Sequence, residues 1–126
     1  MVIVISSGEF KFGIYLSHSI SHAETWVGSP ASFIFSITLD LKFPYHGKQP
    51  PRNRSKGNLP SVLFCGSDHF EAGNGDFYIN ESLTIGSSEL EGCFGVGITR
   101  GSEINSQILA GTNNFHINHL EMWLVV

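Results

Sequence analysis

Charge is scarce in this 126-residue chain, at 14% of residues, and cysteine scarcer, with two copies. The balance of −4 supplies no overall attraction for nucleic acid. No apolar run approaches the roughly 20 residues of a membrane-spanning helix. The apolar opening Met1–Ile5 is cut short by Ser6-Ser7-Gly8, too early for a secretory signal. A cytoplasmic setting is therefore expected, with the nucleus or an endomembrane surface compatible, and Cys65 and Cys93 read first as buried small hydrophobes. No stretch holds a helical period over about ten residues, which argues against a helical fold. Length fits one domain, residues 1–126, large enough for a core of its own.

What is present is strand. Val2-Ile3-Val4-Ile5 is a β-branched run of the kind buried on both faces. Ser6-Ser7-Gly8-Glu9 is turn chemistry, after which Phe10, Phe12, Ile14 and Leu16 fall on one face, so a hairpin is expected. His18 to Ser32 reads as a loop carrying Trp26. Phe33, Phe35, Ile37, Leu39, Leu41 and Phe43 then alternate with Ser36, Thr38, Asp40 and Lys42. That pattern specifies one long half-buried strand with the six apolar residues inside, ended by Pro44. His46 to Pro60 is a loop.

Ser61 to Cys65 and Phe77-Tyr78-Ile79 are short strands, the second entered through Ala72-Gly73-Asn74-Gly75. Leu83 to Gly92 is a polar connection, Cys93 to Ile98 a weak strand, and Gly101 to Gly111 a loop or one helical turn. Phe115 to Val126 closes the chain as a strand whose apolar phase changes between Ile117 and Leu120, which predicts a bulge near Asn118-His119 or burial on both faces. The expected class is all-β with minor α, a two-sheet antiparallel sandwich.

The chemistry-bearing motifs are sparse. His18 and His22, and His116 and His119, have spacings that grip zinc on a helix, but here they fall in loop and strand, so no metal is expected. A reactive thiolate needs a cation nearby, and neither Cys65 nor Cys93 has Lys or Arg among its sequence neighbours. No Gly-x-Ser-x-Gly elbow and no phosphate-cradling Gly-Lys-Ser/Thr occurs, so no catalytic residue and no cofactor are expected. The one sharp charge feature is Lys48, Arg52, Arg54 and Lys56, a solvated basic loop that offers a kinase target at Arg52-Asn53-Arg54-Ser55 or a contact for a partner.

Four strings in order resemble the TLDc family, which includes the oxidation resistance proteins. Phe12-Gly13 with Ile14-Tyr15-Leu16-Ser17 is similar to its early Phe-Gly strand, and Phe33-Ile34-Phe35-Ser36-Ile37 to its Phe-x-Phe-Ser-Leu strand. Phe70 to Ile79, with Gly73 and Gly75, resembles the glycine-rich turn, although Glu71-Ala72 stand where more glycines are usual. Phe115-His116-Ile117 through Leu120-Glu121-Met122-Trp123 resembles the closing Phe-x-Ile-x-x-Leu/Val-Glu-Val-Trp strand. The family's domain starts earlier, with a helical stretch and a first strand. Measured against it the chain is short at its N-terminus, which implies an exposed apolar patch or sheet edge.

The resemblance implies a non-enzymatic protein-interaction module of the TLDc sandwich type. Its implied role is protection against oxidative stress, with the vacuolar proton ATPase as the partner. Glu121 and Trp123 belong to the signature strand and are the implied contact residues. Their plainer roles would be a paired strand carboxylate and a core side chain. Two alternatives stay open: a peroxide scavenger using Cys65 or Cys93, and a carbohydrate-binding sandwich with Trp26, Tyr45 and Tyr78 as stacking residues.

Overall fold

A computed structural model describes residues 1–17, 26–28, 31–45, 61–65, 68–73, 75–90, 94 and 103–124, with the backbone alone for 26–28 and 61–65. One sheet contains β1 (Val2–Ser7), β2 (Phe10–Tyr15), β4 (Phe33–Ser36), β5 (Leu41–Pro44) and β11 (His119–Trp123), in the order β11-β1-β2-β4-β5. The other contains β3 (Trp26–Gly28), β6 (Ser61–Cys65), β7 (His69–Ala72), β8 (Phe77–Asn80), β9 (Ile85–Ser88) and β10 (Asn114–His116), in the order β10-β9-β8-β7-β6-β3. All pairings are antiparallel, and one short helix, α1 (Glu103–Gln107), precedes β10. The fold is all-β with minor α.

The two sheets meet face to face through aromatic edges. Phe12 of β2 contacts Phe115 of β10 with ring centroids 5.0 Å apart and planes at 84°, and Phe77 of β8 at 6.3 Å and 74°. Ile3, Ile5, Ile14, Leu16 and Ile34 from one sheet and Phe70, Ala72 and Ile79 from the other complete the buried layer, with Leu90, Phe94 and Leu109 closing it. Each fully buried Phe or Ile side chain contributes about 1.5–3 kcal/mol relative to exposure.

The first hairpin is as its sequence specifies. Ser7 pairs with Phe10, leaving Gly8-Glu9 as a two-residue loop. Gly8 takes φ +57° and Glu9 does not, the II′ pattern that twists with its strands. Phe12, Ile14 and Leu16 are buried as the alternation requires. In β1 only Ile3 and Ile5 are buried, with Val2 and Val4 half-buried, so this strand alternates instead of being covered on both faces.

The long strand expected over Phe33–Phe43 is two strands; the faces of the first are reversed, whereas Phe43 in the second is buried as expected. Residues 37–40 form a turn: Asp40 N–H donates to Ile37 O at 3.3 Å, Leu39 N–H to Ser36 Oγ at 3.1 Å, and Asp40 adopts φ +55°. The β1–β2 hairpin holds this turn, because Lys11 O accepts from Ile37 N–H and Thr38 N–H while Lys11 N–H donates to Thr38 Oγ1 at 2.7 Å. Ser36, Thr38 and Asp40 are thus turn formers, the local role that such short polar side chains favour. Ile34, Ser36 and Phe43 point inward, while Phe33 and Phe35 line the outer face and Ile37, Leu39 and Leu41 are exposed.

Three further strands lie where the sequence reads as loop or turn. β3 falls in the stretch around Trp26, β7 precedes the glycine turn, and β9 falls within the polar connection. β9 has no large inward side chain: Gly86 and Ser88 face in, and a Cβ at Gly86 would sit 2.6 Å from the Phe115 ring. That vacancy admits the ring, and it also removes the hydrophobic signal of a strand. At the C-terminus, β10 and β11 belong to different sheets, so the phase change marks a crossing. Asn118 N–H donates to Ser6 O at 2.9 Å although His119 is the residue paired with Ser6. Two residues therefore stand against one, which is the bulge expected there.

Candidate functional site

The signature residues are distributed by role. Phe12 and Phe115 form the inter-sheet contact, with Ile117 half-buried at the crossing and packed on the core. Gly73 (φ +71°) and Gly75 (φ +105°) turn β7 into β8 around Asp76. Asp76 is fully buried and its Oδ2 accepts the Phe94 N–H at 2.8 Å. Gly13, Phe33 and Phe35 belong instead to the outer face of the five-stranded sheet.

Strand register builds that outer face. Across one row Trp123, Val2, Tyr15, Phe33 and Pro44 are consecutive cross-strand partners. Across the next, Glu121, Val4, Gly13, Phe35 and Lys42 follow. Tyr15 stacks on Phe33 at 5.1 Å and 23°, Phe33 meets Phe35 at 6.2 Å, and Lys42 Nζ lies 4.3 Å from the Phe33 centroid. A cation over a ring is attracted to its negative face, so Lys42 caps the aromatic group. Gly13 provides the floor, since a Cβ there would lie 2.9 Å from Phe35 Cζ and 1.9 Å from Ile3 O.

Glu121 and Trp123 sit on this face at its β11 edge with His119. Positions 119, 121 and 123 share one side of a strand. The Glu121 carboxylate joins the other two: Oε1 is 3.1 Å from His119 Nε2 and Oε2 accepts from Trp123 Nε1 at 3.2 Å. The His119 contact holds the Glu121 carboxyl below its usual range, with the Trp123 bond next in effect and the Lys11 charge a small addition. Glu121 is the paired strand carboxylate of the plainer reading. Trp123 is not the core residue of that reading, because its side chain is 59% exposed, on the sheet's outer face and at its edge. The exposed indole is thereby hydrogen-bonded to its own strand.

The remaining sequence candidates do not converge on this site. Lys48, Arg52, Arg54 and Lys56 lie outside the described residues, as do Cys93, His18 and His22. Cys65 ends β6, paired with Phe70, and its side chain is outside the description. Of the aromatic trio proposed for sugar, Tyr45 packs against Phe94 at 6.0 Å beside the core while Tyr78 lies on the second sheet. Tyr78 stacks on His69 at 5.1 Å, and His69 contacts Asp68 Oδ1 at 2.9 Å and Glu71 Oε1 at 3.2 Å. The sequence hid this His69 cluster because β7 was not legible as a strand. Among the described residues no group of three or more His, Cys, Asp or Glu side chains is placed to hold a metal ion, and no helix is long and apolar enough to cross a membrane.

Among curated proteins none matches the chain. A protein-family model does: the TLDc domain, over residues 1–126. The match spans the strands, the Phe12–Phe115 contact and the Glu121–Trp123 edge described above. The chain belongs to the TLDc domain family.

Proposed function

We propose that this TLDc domain acts by binding a protein partner rather than by catalysis, in the service of protection against oxidative stress. The TLDc domain is not known as an enzyme family, and its general association is with oxidative stress. The observation that supports binding is the exposed Trp123 indole, hydrogen-bonded to the Glu121 carboxylate on the edge of an aromatic sheet face. Ordered, amphipathic tryptophans contribute disproportionately to protein interfaces, because little conformational entropy is lost when they are covered. Tyr15, Phe33 and Phe35 continue the surface inward, and Lys42 supplies a charge at its far end.

The partner proposed is the vacuolar proton ATPase, on the family's resemblance. The test is a pull-down under native conditions with this chain and with Trp123→Ala. Recovery of ATPase subunits by the chain and their loss with Trp123→Ala supports both the partner and the surface. Recovery of no ATPase subunit counts against the partner, and equal recovery by Trp123→Ala counts against the surface.

A further inference from the structure

We propose that the open edge of β11 pairs with β11 of a second copy of this chain, antiparallel and centred on Met122. The argument starts from hydrogen-bond accounting. Met1 and Leu16 exchange both backbone bonds, with Leu16 N–H to Met1 O at 2.8 Å and the Met1 amine to Leu16 O at 3.0 Å. In an antiparallel ladder such doubly bonded pairs alternate. Ile3 and Ile5 therefore direct their backbone groups to β2, and Val2, Val4 and Ser6 direct theirs to β11. The bond from Asn118 N–H to Ser6 O agrees with that phase. Trp123, Glu121 and His119, the partners of Val2, Val4 and Ser6, spend their backbone groups on β1. Leu120 and Met122 present theirs outward, with Leu124 next in the alternation.

This edge differs from the others among the described residues. β3 and β10 have three residues each. β5 is guarded by Lys42 and Pro44, residues that discourage strand addition. β11 has five residues, no Lys or Pro and one carboxylate, Glu121, and it carries exposed apolar side chains at Met122 (49%) and Trp123, with Leu124 (78%) just beyond its end. An exposed edge without Lys or Pro, regular beyond the bulge at its start, is a template for another strand.

A second copy fits the template. Directly opposed residues in an antiparallel pair share a face, so a two-fold axis must lie midway between one residue and its own copy. The bulge at Asn118-His119 ends regular pairing on one side, which favours Met122 over Leu120 as the centre. Met122 then faces itself, Leu120 faces the partner's Leu124, and Glu121 faces the partner's Trp123. Apolar meets apolar on the inner side, and on the outer side each Glu121 carboxylate faces the partner's indole ring, whose single N–H stays donated to the carboxylate of its own chain. No like charges are opposed.

The residue beside the two-fold axis meets its own copy, and that makes the test specific. Self-association is measured by sedimentation equilibrium for the chain, for Met122→Lys, for Met122→Glu, and for an equimolar mixture of the two variants. Ile104→Lys, a change at an exposed apolar site away from β11, is the control, and circular dichroism establishes folding of each. The expected result is dimer for the chain and for Ile104→Lys, self-association weakened about tenfold or more in each single variant, and its recovery in the mixture. A monomeric chain at every concentration, single variants that dimerise like the chain, or a mixture that stays monomeric would each overturn the proposal.

Discussion

The ring of Phe35 lies directly over Gly13, close enough that a Cβ at residue 13 would stand 2.9 Å from Phe35 Cζ. The same Cβ would stand 1.9 Å from the carbonyl oxygen of Ile3. The glycine thus lets an aromatic side chain lie down on the outer face of a sheet whose inner face is already filled. It ties the hairpin of β1 and β2 to the surface proposed to bind.

Gly13→Ala is expected to destabilise the domain by about 1–3 kcal/mol, the usual cost of overpacking. The main obstacle is backbone, so Phe35→Ala in the same chain should not restore stability. Urea unfolding of the single and double variants measures both.

Trp123→Ala should leave stability within roughly 0.5 kcal/mol, since an exposed side chain is removed from an edge strand. A larger loss would mean that the indole serves the fold, and the binding role would lose its main support. Thermal melts decide this before any binding experiment.

Protonation of Glu121 should occur below the ordinary carboxyl value of 4.5. A carboxyl depressed in the folded state contributes stability above its unfolded value, and that contribution is lost as pH falls through the folded one. His119→Ala removes the larger cause, so the Glu121 midpoint should move back up, and Trp123→Phe should move it less. A side-chain carbon titration by NMR reads each shift. An unchanged midpoint in His119→Ala would contradict the contact.

Asp76→Ala removes the buried acceptor of the Phe94 N–H. A buried donor left without a partner costs about 1–3 kcal/mol. The variant should melt earlier and exchange the Phe94 amide faster, with the β1–β2 hairpin amides less affected.

How much was legible follows from where the cause of each feature lies. The β1–β2 hairpin could be read because its cause is local: a glycine able to take φ +57° between two apolar alternations. The helical turn at Glu103–Gln107 and the irregularity at Asn118-His119 were legible for the same reason. Phe33 to Phe43 was misread because a perfect alternation has two possible faces and says nothing of a turn in its middle. Lys11 and Ile14, distant in sequence, settle both questions. β9 was missed because its inward positions hold Gly86 and Ser88, which make room for a ring supplied by β10. At the candidate site the residues Glu121 and Trp123 were identified from the sequence, while their exposure, and the joining of His119 and Trp123 through one carboxylate, were not.

The sequence by itself determined the strand-rich class of the protein and its membership of the TLDc family, because periodicity, turn residues and motif strings act over a few neighbours. Only the tertiary structure decided which face of each strand is inside, which sheet each strand joins, and that Trp123 is displayed rather than buried. Those outcomes depend on which side chains can fill the space between two sheets, and on the hydrogen-bonding phase passed from one strand to the next. Neither is a property of any short segment alone.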